Sequence, residues 1–185
     1  SEIIYLVLIM IATAIPAGFA AGLFGIGGGL VTVPILFYIF SFSGIETAYV
    51  MHLAVGTSFG IIIPTSTVSV LTHHQHKAVD FSIVKGFGFF VATGVILGTI
   101  FAASLETKPL ILFFTIIVYV LAFYLLFLKE KETNIEIKIG LFSKAISGIV
   151  SGFISAPMGI GGAVMNVPIL KFFGYPINKA IGSAA

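Results

Sequence analysis

The chain of 185 residues has no cysteine and no tryptophan, and its nine basic residues are all lysines. Without cysteine there are no disulfides, no thiolate metal ligands and no thiol relay. Without arginine or a basic patch, and with a net charge of only +2, the electrostatic footprint of nucleic-acid binding is missing. Charge of either sign is scarce at 9%, against about 25% in soluble domains. No charged residue occurs in 3–45, 109–128 or 145–170. Each run reaches the roughly 18–20 residues that carry a helix across a bilayer. Backbone groups in lipid must be satisfied within their own segment, so these spans are expected to be helical.

What is present is apolar: 58% hydrophobic residues, with 19 phenylalanines supplying most of the aromatic bulk. The first run continues past Ala12–Ala14 into Gly22, which reads as a span and not as a cleaved leader. The pattern predicts a helix over 3–24, a glycine break over 25–29 and a short apolar segment over 30–42. A third helix over 48–72 follows, interrupted at Gly56–Ser58 and at Pro64. After a polar loop, His73–Asp80, come helices over 81–104 and 109–128. The only charge-dense stretch is Lys129–Lys138, and the pattern then restarts at Ile139.

The restart is a repeat. Gly25-Ile26-Gly27-Gly28 followed by Val33-Pro34-Ile35-Leu36 returns as Gly159-Ile160-Gly161-Gly162 followed by Val167-Pro168-Ile169-Leu170. Ala54-Val55-Gly56-Thr57-Ser58 is likewise similar to Ala180-Ile181-Gly182-Ser183-Ala184. The organisation expected is a first transmembrane repeat over 1–130, a charged cytoplasmic loop over 131–138 and the start of a second repeat over 139–185. A stretch matching Gly60–Leu128 would be expected beyond Ala185. The basic loops, with Lys77 and Lys85 in one and Lys129, Lys131, Lys138 and Lys144 in the other, are two helices apart and therefore on one side, the cytoplasm by the positive-inside rule. Five apolar segments separate the starts of the two copies. An odd number of crossings inverts the second relative to the first and puts the N-terminus outside the cytoplasm. The fold expected is thus an all-α, polytopic membrane helix bundle with inverted-topology repeats and interrupted or re-entrant helices at the GIGG motifs.

The glycine breaks are the main candidate site. A helix restarting after Gly25, Gly27, Gly28 and Gly29, or after Gly159, Gly161 and Gly162, presents unpaired N–H groups and the positive end of its dipole. Such an end suits an anion without any basic side chain. Close helix packing through small residues is the other reading; the paired occurrence favours binding. Thr32 and Asn166 occupy one repeat-equivalent position and could line a cavity or bond a neighbouring helix. Thr57, Ser58 and Ser183 offer hydroxyls to an oxyanion, or bond back to their own helices. Pro34 and Pro168 are assigned a helix-shaping role. His52, ionisable within an apolar stretch, is a candidate for proton coupling or an interfacial residue. Gly94 and Gly98 read as a packing pair. His73, His74 and His76 lack a companion ligand set, so no metal is expected. The glycine runs lack the strand and the completion of nucleotide loops, so no cofactor is expected. No nucleophile–base pair or carboxylate dyad suggests an enzyme.

The duplicated GIGG–VPIL motif, with Ala54–Ser58, Ala180–Ala184 and the loop His76-Lys77-Ala78-Val79-Asp80-Phe81 before a glycine-rich helix, resembles the TauE/SafE-like sulfite exporter family of membrane permeases. The resemblance implies a multi-pass protein of the prokaryotic cytoplasmic membrane that moves small sulfur oxyanions or sulfonates. The expected function is a secondary transporter, an exporter working by alternating access, with coupling to a proton or sodium ion left open. An anion channel and a non-transporting membrane scaffold are the alternatives. The expected partners are a small anion and the lipid bilayer.

Overall fold

The structure is a computed structural model that describes residues 2–24, 28–127 and 140–184. Among the described residues it is entirely helical: α1 (Glu2–Phe24), α2 (Gly29–Phe42), α3 (Val50–Gln75), α4 (Phe81–Ser104), α5 (Thr107–Phe127), α6 (Leu141–Met158), α7 (Ala163–Phe172) and α8 (Ile177–Ala184). The charged loop expected over 131–138 lies outside the described residues, as do Gly25 and Gly27.

Among the described residues, four helices are long and apolar enough to cross a membrane: α3, α4, α5 over Thr107–Tyr124, and α6. Their outward faces carry large apolar side chains, among them Phe89, Ile96, Tyr119 and Phe123. Such faces would be unfavourable in water and suit lipid. The chain is a multi-pass helical membrane protein. Of the spanning stretches, 39% of α6 is buried against 17% of α3 and α5, which makes α6 the central helix.

Sequence chemistry fixes several helix ends. Asp80 caps α4, its Oδ1 accepting from the Ser82 N–H at 3.0 Å. α6 stops at Met158 because Gly159 turns into the left-handed region at φ +59, where a residue without Cβ is unstrained. The two copies share their local form. α2 and α7 both begin directly after a GIGG motif, contain its proline, and end with the residue five further on donating back. Ile45 N–H bonds the Phe40 carbonyl at 3.3 Å, and Tyr175 N–H bonds that of Leu170 at 3.1 Å.

Helix directions follow from contacts between glycines and backbone. A Cβ on Gly94 would sit 2.8 Å from the Ile149 carbonyl carbon, and one on Gly98 2.9 Å from Phe153 Cα. In return, a Cβ on Gly148 would meet Phe90 and one on Gly152 would meet Val95 N at 2.7 Å. Positions rise together, so α4 and α6 run parallel with their backbones nearly touching. The small-residue seam expected at Gly94 and Gly98 is present, with Gly148 and Gly152 as its unforeseen other half. α3 is antiparallel to α4, since His52 near its start reaches the Ala102 carbonyl.

The core falls into two clusters at opposite ends of α4. One joins Val33, Leu36 and Phe40 of α2 to Val50, Met51, Ala102 and Leu110. The other joins Leu170 and Phe173 to Ile83, Phe87 and Ala180. Hence α2 and α7 leave the central region toward opposite ends of α4.

The third helix departs from expectation. α3 is continuous through Gly56–Ser58 and Pro64. A proline removes one i→i−4 bond, and the Thr65 and Thr67 hydroxyls bond the nearby carbonyls of Ile61 and Ile63 at 2.9 and 2.7 Å. Gly56 faces open space, so nothing there diverts the chain.

Candidate functional site

The two glycine breaks meet. Gly29, the first residue of α2, is buried against Gly159 and Ile160; a Cβ on it would lie 2.6 Å from Ile160 Cα. Gly159 in turn faces Val33 and Val55, with only 3.2 Å from its own would-be Cβ to Val55 Cα. Ser58, fully buried, donates to the Gly159 carbonyl at 2.7 Å. Three segments remote in sequence thus converge: the start of α2, the first turns of α3, and the α6–α7 break.

Around this junction the helix starts are uncapped by side chains. Gly28 is the N-cap of α2 and Gly162 that of α7, both in helical conformation without a side-chain hydrogen bond. First-turn N–H groups lack intrahelical carbonyl partners. A Cβ on Gly28 would meet only the Thr32 hydroxyl at 3.6 Å, and Gly161 borders open space.

The repeat-equivalent pair Thr32 and Asn166 differ in their contacts. The Thr32 hydroxyl bonds back to the Gly28 carbonyl at 2.7 Å. Asn166 is buried; its Oδ1 accepts from the Ser151 hydroxyl of α6, and its Nδ2 is so near Gly162 that a Cβ there would lie 2.6 Å away. Pro34 and Pro168 both lie inside their helices. Thr57 is half-buried on α3.

Two other candidates lie elsewhere. Ser183 accepts from the Asp80 N–H at 3.0 Å. Beside it Lys179 pairs with Asp80 at 3.3 Å, and Gly182 abuts the Ala78 carbonyl. This clasp ties α8 to the turn between α3 and α4. Hydrogen bonds from the Ser82 hydroxyl and N–H, with a smaller contribution from Lys179, hold the Asp80 carboxyl below its ordinary range. His52 sits at the far end of α4; its Nε2 is 3.2 Å from the Ala102 carbonyl and its Nδ1 is buried without a partner.

Sequence reading passed over Ser151 and Ser155. Ser155 is 4% exposed and its hydroxyl has no partner, a condition that costs about 1–3 kcal/mol for a buried polar group. The signal was available: serines four residues apart lie on one helix face, here within an otherwise apolar span.

These features define a class, a multi-pass helical membrane protein whose short helices start from converging glycine breaks. The family model described as Sulfite exporter TauE/SafE matches residues 10–185, and the chain belongs to that family of membrane transporters. It is 34% identical over 169 residues to a probable membrane transporter protein of Haemophilus influenzae, covering 91% of this chain and 64% of that one. A probable membrane transporter protein of Methanocaldococcus jannaschii is 28% identical over 183 residues, covering 97% and 67%. One of Bacillus subtilis is 25% identical over 202 residues, covering 95% and 71%. The chain therefore spans about two thirds of the length of these curated relatives. No solved structure matches it with significance.

Proposed function

We propose that this chain belongs to a secondary transporter for a small sulfur-containing anion such as sulfite or a sulfonate. It works as an exporter by alternating access in a prokaryotic cytoplasmic membrane. The observation that carries this reading is the convergence of Gly29, Ser58 and Gly159 beside two uncapped helix starts. Backbone N–H groups at such starts hold an anion through dipole and hydrogen bonds. No lysine stands at Gly28–Val33 or Gly159–Val167 to retain it too tightly for release.

The departure of α2 and α7 toward opposite ends of α4 supports an inverted-repeat arrangement. In such transporters the two halves rock about a shared central site. His52 is the candidate for coupling to a proton, with a sodium-coupled cycle as the alternative.

The test is binding of radiolabelled sulfite to the purified full-length protein with Gly28→Val and Gly162→Val. Both substitutions put branched carbon over a helix start, and both are expected to weaken binding. Unchanged binding and transport in both variants would remove the helix starts from the site.

A further inference from the structure

Resting on the transporter reading above, we propose that the oxyanion is held unequally by the two repeats. Its side-chain donors come from the second, the Ser155 hydroxyl and the Asn166 amide, while both helix starts offer backbone N–H groups.

Repeat-equivalent positions differ in kind. The counterparts of Ser151, Ser155 and Asn166 in copy one are Ala17, Ala21 and Thr32. Ala17 is buried and offers only a methyl group. Thr32 has its hydroxyl proton committed to its own helix at 2.7 Å. At these positions the first repeat offers no uncommitted side-chain donor, and the second carries polar side chains.

The placement of Ser155 follows from the hairpin that α6 makes with α7. Ser151 donates to Asn166 Oδ1, which sets position 151 opposite position 166. One turn further along α6 is Ser155, and one turn back along α7 is Gly162, the N-cap of that helix. This register sets position 155 opposite the start of α7. The backbone there leads toward the same point, with the Ile160 N–H returning to the Ser155 carbonyl at 3.3 Å.

Three donors then converge. Ser155 carries a hydroxyl that is buried and unpartnered. Asn166 has Oδ1 occupied by Ser151, which leaves its Nδ2 directed at the Gly162 side. The helix start adds N–H groups and the positive end of its dipole. A small oxyanion has several acceptor oxygens and no donor, and it satisfies all three at once. Ser151 acts as a positioning residue, because its hydroxyl fixes which way the Asn166 amide points.

Ser155→Ala separates a ligand contact from a structural one. Removing a hydroxyl that bonds nothing in the ligand-free protein leaves folding unharmed, while removing a donor to an anion lowers affinity about tenfold or more. The experiment measures sulfite affinity and ligand-free melting temperature of the full-length protein in detergent, for wild type, Ser155→Ala, Asn166→Thr and Thr32→Val. The expected result is a melting temperature for Ser155→Ala equal to or above wild type, with sulfite affinity lowered about tenfold or more. Asn166→Thr, which installs the copy-one residue, should also weaken sulfite, and Thr32→Val should stay within about twofold of wild type. Ser155→Ala with unchanged sulfite affinity, or with a lowered melting temperature, overturns the inference. Wild-type protein that binds neither sulfite nor any other sulfur oxyanion overturns the transporter reading itself, and this inference with it.

Discussion

The hydroxyl of Ser58 donates to the Gly159 carbonyl at 2.7 Å with both residues buried, joining α3 of the first repeat to the glycine break of the second. Replacing Ser58 with Ala leaves that carbonyl without its donor. The expected cost is about 1–2 kcal/mol of stability, read as a lower melting temperature in detergent. Ser58→Thr keeps the hydroxyl and should recover part of the loss.

Gly29 and Gly28 are neighbours with opposite tolerances. Gly29→Ala places a Cβ against Gly159 and 2.6 Å from Ile160 Cα, both rigid backbone, whereas Gly28→Ala has 3.6 Å to its nearest neighbour. Overpacking of this kind costs about 1–3 kcal/mol. Gly29→Ala should lower the melting temperature and transport together, and Gly28→Ala should retain the fold. Equal stability in the two variants would contradict the close approach of the motifs.

The seam between α4 and α6 gives a similar contrast. Gly94→Ala or Gly152→Ala forces two helix backbones apart, because the would-be Cβ atoms meet main-chain atoms of Ile149 and of Val91 and Val95. A loss of about 1–3 kcal/mol is expected. Gly86→Ala, in the same helix but facing open space, serves as the control and should be neutral or slightly stabilising.

The clasp at Asp80 predicts an acid limit. Its folded pKa is lowered from 3.8, so the ionised carboxylate stabilises the folded junction above the unfolded value. That contribution is lost as pH falls from about 4 through the lowered folded value. Asp80→Asn should flatten the pH dependence of melting in that window while leaving the value at neutral pH somewhat reduced. A wild-type profile already flat below pH 4 would contradict the assignment.

Much of this arrangement is legible in the chain because bilayer physics restricts the choices. Apolar patterning between polar loops locates α4 and α5 nearly residue for residue, and the repeated GIGG marks the α6–α7 break. Gly94 and Gly98 were readable as a packing pair because four-residue spacing puts both on one helix face. What failed was local reasoning about tertiary consequences. Pro64 and Gly56 suggested breaks in α3, yet one missing hydrogen bond does not outweigh the requirement that a lipid-embedded backbone stay helical. Ser183 offers a hydroxyl in its AIGSA sequence, and the fold adds a partner that the sequence does not show: its oxygen accepts from the Asp80 N–H. That partner is far away in sequence, and no periodicity encodes it. The meeting of Gly29 with Gly159 is of the same kind: each motif is visible alone, and their contact belongs to the fold.

The account stands or falls on whether the converging glycine breaks serve an alternating-access cycle for a sulfur oxyanion. The direct measurement is counterflow in proteoliposomes containing the full-length protein, loaded with unlabelled sulfite and diluted into trace radiolabelled sulfite. The account predicts transient accumulation of label above equilibrium, saturable in sulfite and diminished by Gly28→Val and by Gly162→Val. Flux that is linear in sulfite, never rises above equilibrium and is indifferent to both substitutions would contradict it.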